Sequence, residues 1–585
     1  MISILQFPLV FLRQKLSERN FLILSAVLVG LSSGLAAIVL KYLVHQIGVM
    51  VTYARKSDEF FILTIFPLLG LLITVFFVRY FLNDNIKKGS AEIVYRIVKK
   101  SSLIPFRDMY AHLVTSAFTV GFGGSLGLES PMVSTGSAIG SNYGNVNRLS
   151  YKERTILLAC GAAAGIAAAF NSPVAGVLFA VEVLLTDVAA SAFIPLIISA
   201  ACGALLSKIV LAEGVTLAFS LKHPFDYNNV PYYVVLGILC CVISLCYSKV
   251  FHFIEHRFGG VENKWVKVLV GGLMLMGIIW VFPPLFGEGY EGVRMLESRN
   301  ASGLAEGSLL DGTIASEGSL LVFIGALIFF KMIAAAITVG SGGNGGSFAP
   351  SLVVGSYLGF LFSRVVNISG LSNLPVSNFT LVAMAGILSG VFYAPLTAIF
   401  LIAEITGGYH LMIPLMIVSS LSLSFVHFFE PVSMEGKKLA RLLNTTVETR
   451  DKLLLSRLDL SDLIETNFAQ VPKDAMLSDL VKLIASSKRN LFPVVDKEMK
   501  LIGMVHLDKI RNVIFDAAQY DLVPVKDLMN KPDAVVELDE NLHEVLLKFD
   551  QTNQWNLPVV DDGVYLGILS KSSILTRYRK ELMES

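Results

Sequence analysis

Charge is what this chain has least of. Only 16% of its 585 residues are Asp, Glu, Lys or Arg, against about 25% in an ordinary soluble protein. Basic and acidic residues number 47 and 46. The basic excess that a nucleic-acid binder needs is therefore missing, and nucleic acid is excluded as a partner. Cysteine is scarce too. Cys160, Cys202, Cys240, Cys241 and Cys246 lie in apolar stretches without metal-ligand spacing and read as buried thiols. The nine histidines are scattered. No Ser/His/Asp set and no metal-ligand set stands out, so the chain reads as no enzyme and as holding no metal. A secretory signal pattern is also absent: Arg13, Lys15 and Arg19 lead into a long apolar span, not into a cleavage site.

What the chain has instead is hydrophobicity, 54% of residues, and this rules out disorder. The charge is unevenly spread. Residues 446–585 hold 18 basic and 23 acidic residues, and the 445 before them hold 29 and 23. The first part reads as a membrane body and the second as a soluble domain. Apolar stretches of bilayer length run at about 20–46, 60–82, 190–211, 230–252, 266–286 and 319–339. Between them, 111–140, 155–186, 348–366 and 377–429 are apolar but interrupted by Gly and Pro. Such segments suit helices that stop inside the membrane and line a cavity. The polar stretch 284–318 reads as a loop. Six Lys and Arg residues within 83–110 and the basic N-terminus place both in the cytoplasm.

The membrane body repeats itself. Gly127-Leu128-Glu129-Ser130-Pro131, followed by Gly136, Ser137 and Gly140, matches Gly346-Ser347-Phe348-Ala349-Pro350, followed by Gly355, Ser356 and Gly359. Gly161, Gly165, Pro173 and Glu182 then match Gly386, Gly390, Pro395 and Glu404. Repeated halves of this kind point to a transporter or channel with its site at the repeat interface. The tail repeats as well: Asn490–Asp496 and Asn556–Asp561 each head a strand–hairpin–strand unit preceded by a helix.

Each Gly-rich loop precedes a helix whose first N–H groups have no partner and carry partial positive charge. Two such ends facing each other make an anion site without a full cation, which would hold an anion too tightly for conduction. Glu129 stands at the first of these helix starts. An ionisable group in an apolar body is a functional candidate by default, and its carboxylate could occupy the anion's seat and leave on protonation. Glu182 and Glu404 read more simply as helix-end glutamates satisfied by backbone N–H groups.

These motifs, together with Asn171-Ser172-Pro173 and Ala394-Pro395-Leu396-Thr397, resemble the CLC family of chloride channels and proton-coupled chloride antiporters, and the tail resembles a pair of CBS domains. The resemblance implies a membrane all-α body of inverted repeats plus a soluble α/β CBS pair. The expected boundaries are an N-terminal cytoplasmic segment 1–19, a transport domain 20–445 with halves at about 20–215 and 230–430, and a cytoplasmic tail 446–585 with units at about 461–515 and 525–580. It further implies a homodimer with one anion pathway per subunit, with Glu129 as the gate. Gly127, Leu128, Ser130, Gly346, Ser347, Phe348 and Ala349 are the implied anion-binding residues. Chloride or another small inorganic anion would be cargo, with no cofactor.

Three positions depart from the family pattern. Val183 stands where antiporters of the family commonly carry an internal proton glutamate. Lys88 replaces the serine that touches the central anion, and Glu435 replaces the tyrosine opposite. A Lys88–Glu435 ion pair guarding the cytoplasmic mouth is the expectation at these two sites. In the CBS pair the usual ribose aspartates are missing, leaving His506, Asp508, Ser570 and Ser573 as the ligand candidates, and adenine nucleotide is not favoured. The loss at Val183 favours a passive chloride channel over a proton-coupled antiporter. A non-conducting membrane sensor using the CBS pair is a third reading.

Overall fold

The structure, a computed structural model, describes residues 15–54, 60–84, 86–185, 190–211, 224–297, 301–306, 308–310, 312, 314, 316–443, 460–540 and 542–584. The chain divides into two compact units, Met1–Val447 and Glu448–Ser585. The expected boundary at 445/446 and most of the N-terminal segment 1–19 lie outside the described residues.

The first unit is helical. Its first half runs α1 (Glu18–Ala54), α2 (Phe60–Phe81), α3 (Ser90–Lys99), α4 (Asp108–Gly121), α5 (Glu129–Val146), α6 (Tyr151–Phe170), α7 (Pro173–Phe179) and α8 (Ala190–Leu211). The second half runs α9 (Val230–Gly259), α10 (Lys264–Val281), α11 (Tyr290–Glu297), α12 (Glu317–Gly340), α13 (Phe348–Ile368), α14 (Val376–Phe392), α15 (Pro395–Ile405) and α16 (Met412–Phe429), and α17 (Met434–Leu443) follows. Among the described residues nine helices are long and apolar enough to cross a membrane. Helices α7, α14 and α15 are apolar but shorter.

The repeat is structural. α5 packs along α6 as α13 packs along α14. A Cβ on Gly136 would lie 2.1 Å from the Gly161 carbonyl oxygen, and one on Gly359 2.2 Å from that of Phe379. These later repeat glycines are there for close helix contact, not for a ligand. α6 ends at Asn171 (φ 54°) and α14 at Tyr393 (φ 58°), both left-handed, and Pro173 and Pro395 open the next helix two residues on. A left-handed residue stops a helix, and proline starts one without wasting an N–H. The same local chemistry thus breaks both halves at the same place.

One expectation needs correcting. The stretch 284–318 is not simply a loop: a 3-10 turn at Pro283–Leu285 and the helix α11 lie within it. Gly287 (φ 61°) and Gly289 (φ 93°) turn the chain back onto the body, and the Gly287 N–H donates to the Gly123 carbonyl at 3.1 Å.

The second unit is α/β. Two three-stranded sheets, β1 (Val471–Pro472), β2 (Leu491–Val495), β3 (Leu501–His506) and β4 (Val536–Glu537), β5 (Asn556–Asp561), β6 (Val564–Ser570), share one order. In each, a short parallel strand flanks an antiparallel hairpin. The short first strands were not legible in the sequence, because two residues carry no periodicity. Phe468, Leu491, Val495, Met504, Tyr565 and Ile568 join the two sheet repeats of this second unit in one buried cluster, as expected for repeats too small to bury a core alone.

A candidate anion pathway where the repeats meet

The two Gly-rich loops lie against each other. The Gly127 N–H donates to the Gly346 carbonyl at 2.9 Å, and the Gly346 N–H returns a bond to the Gly127 carbonyl at 2.8 Å. Helices α5 and α13 start two residues beyond this bridge, so their unpaired first N–H groups share one locus. Gly127 and Gly346, expected to bind anion, spend their N–H groups on each other and act as the clasp instead. Leu128, Ser130, Ser347, Phe348 and Ala349 are brought together around the clasp.

Glu129 is the first residue of α5 and is only 3% exposed. Its Oε1 accepts a hydrogen bond from the Tyr290 hydroxyl at 2.7 Å. The N–H groups of Glu129 and Ala349, one from each repeat, face the carboxylate, while Oε2 is buried without closing a hydrogen bond. A Cβ on Gly127 would lie 2.0 Å from that oxygen, so glycine makes the room in which the carboxylate sits. The arrangement places a carboxyl group where two helix N-termini meet.

A cavity of about 320 Å³ is lined by Glu129, Ser130, Ser347 and Phe348 and also by Lys88, Ser90 and Glu435. The inner-mouth candidates and the gate candidate therefore border one space. The expected Lys88–Glu435 ion pair is not formed. The Lys88 ammonium donates to the carbonyls of Gly342 (2.7 Å) and Gly343 (2.9 Å). Glu435 accepts from the Ser90 hydroxyl (2.9 Å) and the Ala91 N–H (3.0 Å) at the start of α3, with Lys438 at 3.8 Å. Each charge has found backbone partners within reach: the carbonyls past the end of α12 suit a cation and the first N–H groups of α3 suit an anion.

Glu182 and Glu404 cap each other's half. Glu404 accepts from the Val174 and Ala175 N–H groups at the start of α7 (3.1 and 3.0 Å). Glu182 accepts from the Leu396 and Thr397 N–H groups at the start of α15 (2.9 and 2.8 Å) and from the Thr397 hydroxyl (2.6 Å). Val183, in the wide π turn Ala180–Leu184, brings no polar group to this exchange.

Residues 69–427 match the family model described as voltage gated chloride channel. The chain belongs to that family. CLC relatives include the chloride channel protein CLC-f of Arabidopsis thaliana, 26% identical over 80% of this chain and 68% of the relative. The H(+)/Cl(-) exchange transporter ClcA of Klebsiella pneumoniae is 29% identical over 67% of this chain and 82% of its own. Among solved structures, a slow cyanobacterial Cl-/H+ antiporter superposes with a TM-score of 0.63 at 20% identity, covering 73% of this chain and 99% of its own. A eukaryotic CLC transporter does so at 0.61 and 18%, covering 95% and 99%. Residues 460–516 and 525–580 match the CBS domain. This CLC protein is thus a multi-pass membrane protein for anion transport that also carries a CBS pair. Among the described residues no His, Cys, Asp or Glu group is arranged to hold a metal ion.

In the CBS pair, Ser570 and Ser573 line a cavity of about 540 Å³ beside Arg489 and Glu465. Asp508 is surface-exposed near Arg511 (3.7 Å), and neither it nor His506 lines that cavity. The Ser570 hydroxyl donates to Glu465 at 2.8 Å, and Arg489 donates to the other oxygen of the same carboxylate at 2.8 Å.

Sequence reasoning missed three polar residues of the CLC body. Tyr290 and Glu288 fell in a stretch read as loop. Lys331 sits within the apolar span α12 and is fully buried. A lone lysine in a bilayer-length apolar run was the signal that could have found it.

Proposed function

We propose that this CLC protein is a passive chloride channel gated by Glu129, working as a homodimer with one pathway per subunit. The observation that carries the reading is the Glu129 carboxylate seated between the starts of α5 and α13, where a mobile anion would find the same donors. Against proton coupling stand two features of one turn: Val183 has no ionisable group, and the neighbouring Glu182 commits both oxygens to α15. Proteoliposomes with an imposed chloride gradient provide the test. Chloride should flow without moving protons uphill; coupled uphill proton movement would establish the alternative, a proton-coupled chloride antiporter. Absence of any anion flux would leave the third reading, a non-conducting sensor.

At the inner mouth, Glu435 accepts from the Ser90 hydroxyl and the Ala91 N–H at the start of α3. Glu435→Gln should weaken that hold and raise chloride flux about threefold to tenfold, since a hydrogen bond to a charged group contributes roughly 1.5–3 kcal/mol and solvent access reduces this at a half-buried site. Unchanged flux would remove Glu435 from the pathway. The cavity holding Ser570 and Ser573 is read as structural, because Glu465 already engages Ser570 and Arg489. Calorimetry with ATP or AMP should detect no tight binding.

A further inference from the structure

The loop leading into α11 is pinned from both sides. Lys331 reaches it from α12, donating to the Gly287 carbonyl at 3.0 Å and to the Ser125 hydroxyl at 2.9 Å. The Gly287 N–H donates to Gly123. A Cβ on Gly289 would lie 3.1 Å from the Lys331 nitrogen and 3.3 Å from Val353, so the loop passes tightly over this anchor. Tyr290, the next residue, is 4% exposed and directs its hydroxyl at Glu129 Oε1. The loop that carries this contact is thereby fixed to the segment entering α5 and to α12.

We propose that Tyr290 is the latch of the gate: a positioning residue whose hydroxyl holds the Glu129 carboxylate in the anion seat, on a loop anchored by Lys331. The inference rests on the reading of Glu129 as the gate. The charged and titratable groups facing Glu129 are Tyr290 and Glu288 from this loop and Lys41 from α1. Lys41 is itself bound to the Ala168 and Ala169 carbonyls near the end of α6, and Lys331 faces Glu288. Both lysines are thus held to fixed partners, and the hydroxyl of Tyr290 is the group that closes a hydrogen bond on the gate. A phenol donates more strongly to a carboxylate than to a neutral acid. The latch therefore grips the charged gate and lets go of the protonated one.

The test is chloride efflux from proteoliposomes for wild type, Tyr290→Phe, Glu129→Gln and the double variant, at about pH 7.5 and about pH 4.5. Phenylalanine keeps the ring volume and removes only the donor. Y290F should raise flux about tenfold at the higher pH, the scale of one hydrogen bond to a charged group. At the lower pH the gain should shrink, and on the E129Q background it should vanish. Equal gains in both backgrounds, or no gain at the higher pH, would overturn the latch. Failure of E129Q alone to alter flux would instead overturn the gate. Chloride titration into the purified protein reads the same competition without transport. There Y290F should tighten apparent affinity about tenfold with Glu129 present and leave it unchanged with E129Q, and tightening in neither or in both refutes the proposal even if a variant transports poorly.

Discussion

Glu129→Gln should raise chloride flux near neutral pH by roughly tenfold to a hundredfold and flatten its pH dependence. The carboxylate is held by the Tyr290 hydroxyl and faces the first N–H groups of two helices. A hydrogen bond to a charged group is worth about 1.5–3 kcal/mol, and each ~1.4 kcal/mol is a factor of ten. Glutamine keeps the shape but loses the charge that both the hydroxyl and the helix ends favour, so it competes less well with chloride. The sign of the pH effect follows. In wild type the charged form is the one held, so protonation releases it and flux rises as pH falls. In the glutamine variant the side chain at position 129 no longer titrates. Efflux measured across about pH 4.5–7.5 checks both parts. A variant that kept the wild-type pH profile would show that some other group sets it.

The second large effect is on stability. Glu404→Ala leaves the Val174 and Ala175 N–H groups without their carboxylate, and Glu182→Ala does the same to Leu396 and Thr397. Each loses two or more charge-assisted bonds between the halves, so each change should cost about 2–4 kcal/mol. The unfolding midpoint of the intact protein in detergent should fall by several degrees. Glutamine at either position retains one acceptor oxygen and should cost about half as much. A midpoint within about one degree of wild type for both alanine variants would mean that water replaces the caps at no loss.

These two predictions differ in how far the residues could be read beforehand. The caps were legible. Pro173 and Glu182 are spaced as Pro395 and Glu404 are, and a glutamate nine residues past a helix-opening proline, repeated, suggests that each serves a helix start. That each serves the opposite half was not visible, because nothing in the spacing says which start lies nearby. Glu129 was legible as a carboxylate at a helix opening. Its hydroxyl partner was not, since Tyr290 lies 161 residues away in a stretch whose polarity disguised a loop folded onto the body.

The order of residues alone determined the architecture. Charge depletion marks the membrane body, paired Gly and Pro signals break both halves alike, and a repeated short apolar run, Leu491–Val495 and Leu557–Val560, marks the CBS strands. These are local or periodic properties, and helix starts, stops and burial follow from them directly. Packing in three dimensions decided the partner of each charge. Lys88 and Glu435 carry opposite charges and border one cavity, yet each is held by backbone groups of a different element. Hydrogen bonds act only within about 3 Å and in narrow directions. A buried charge therefore settles on whichever donors or acceptors the fold brings within that reach, and for Lys88, Glu435, Glu129 and Lys331 those groups come from far along the chain.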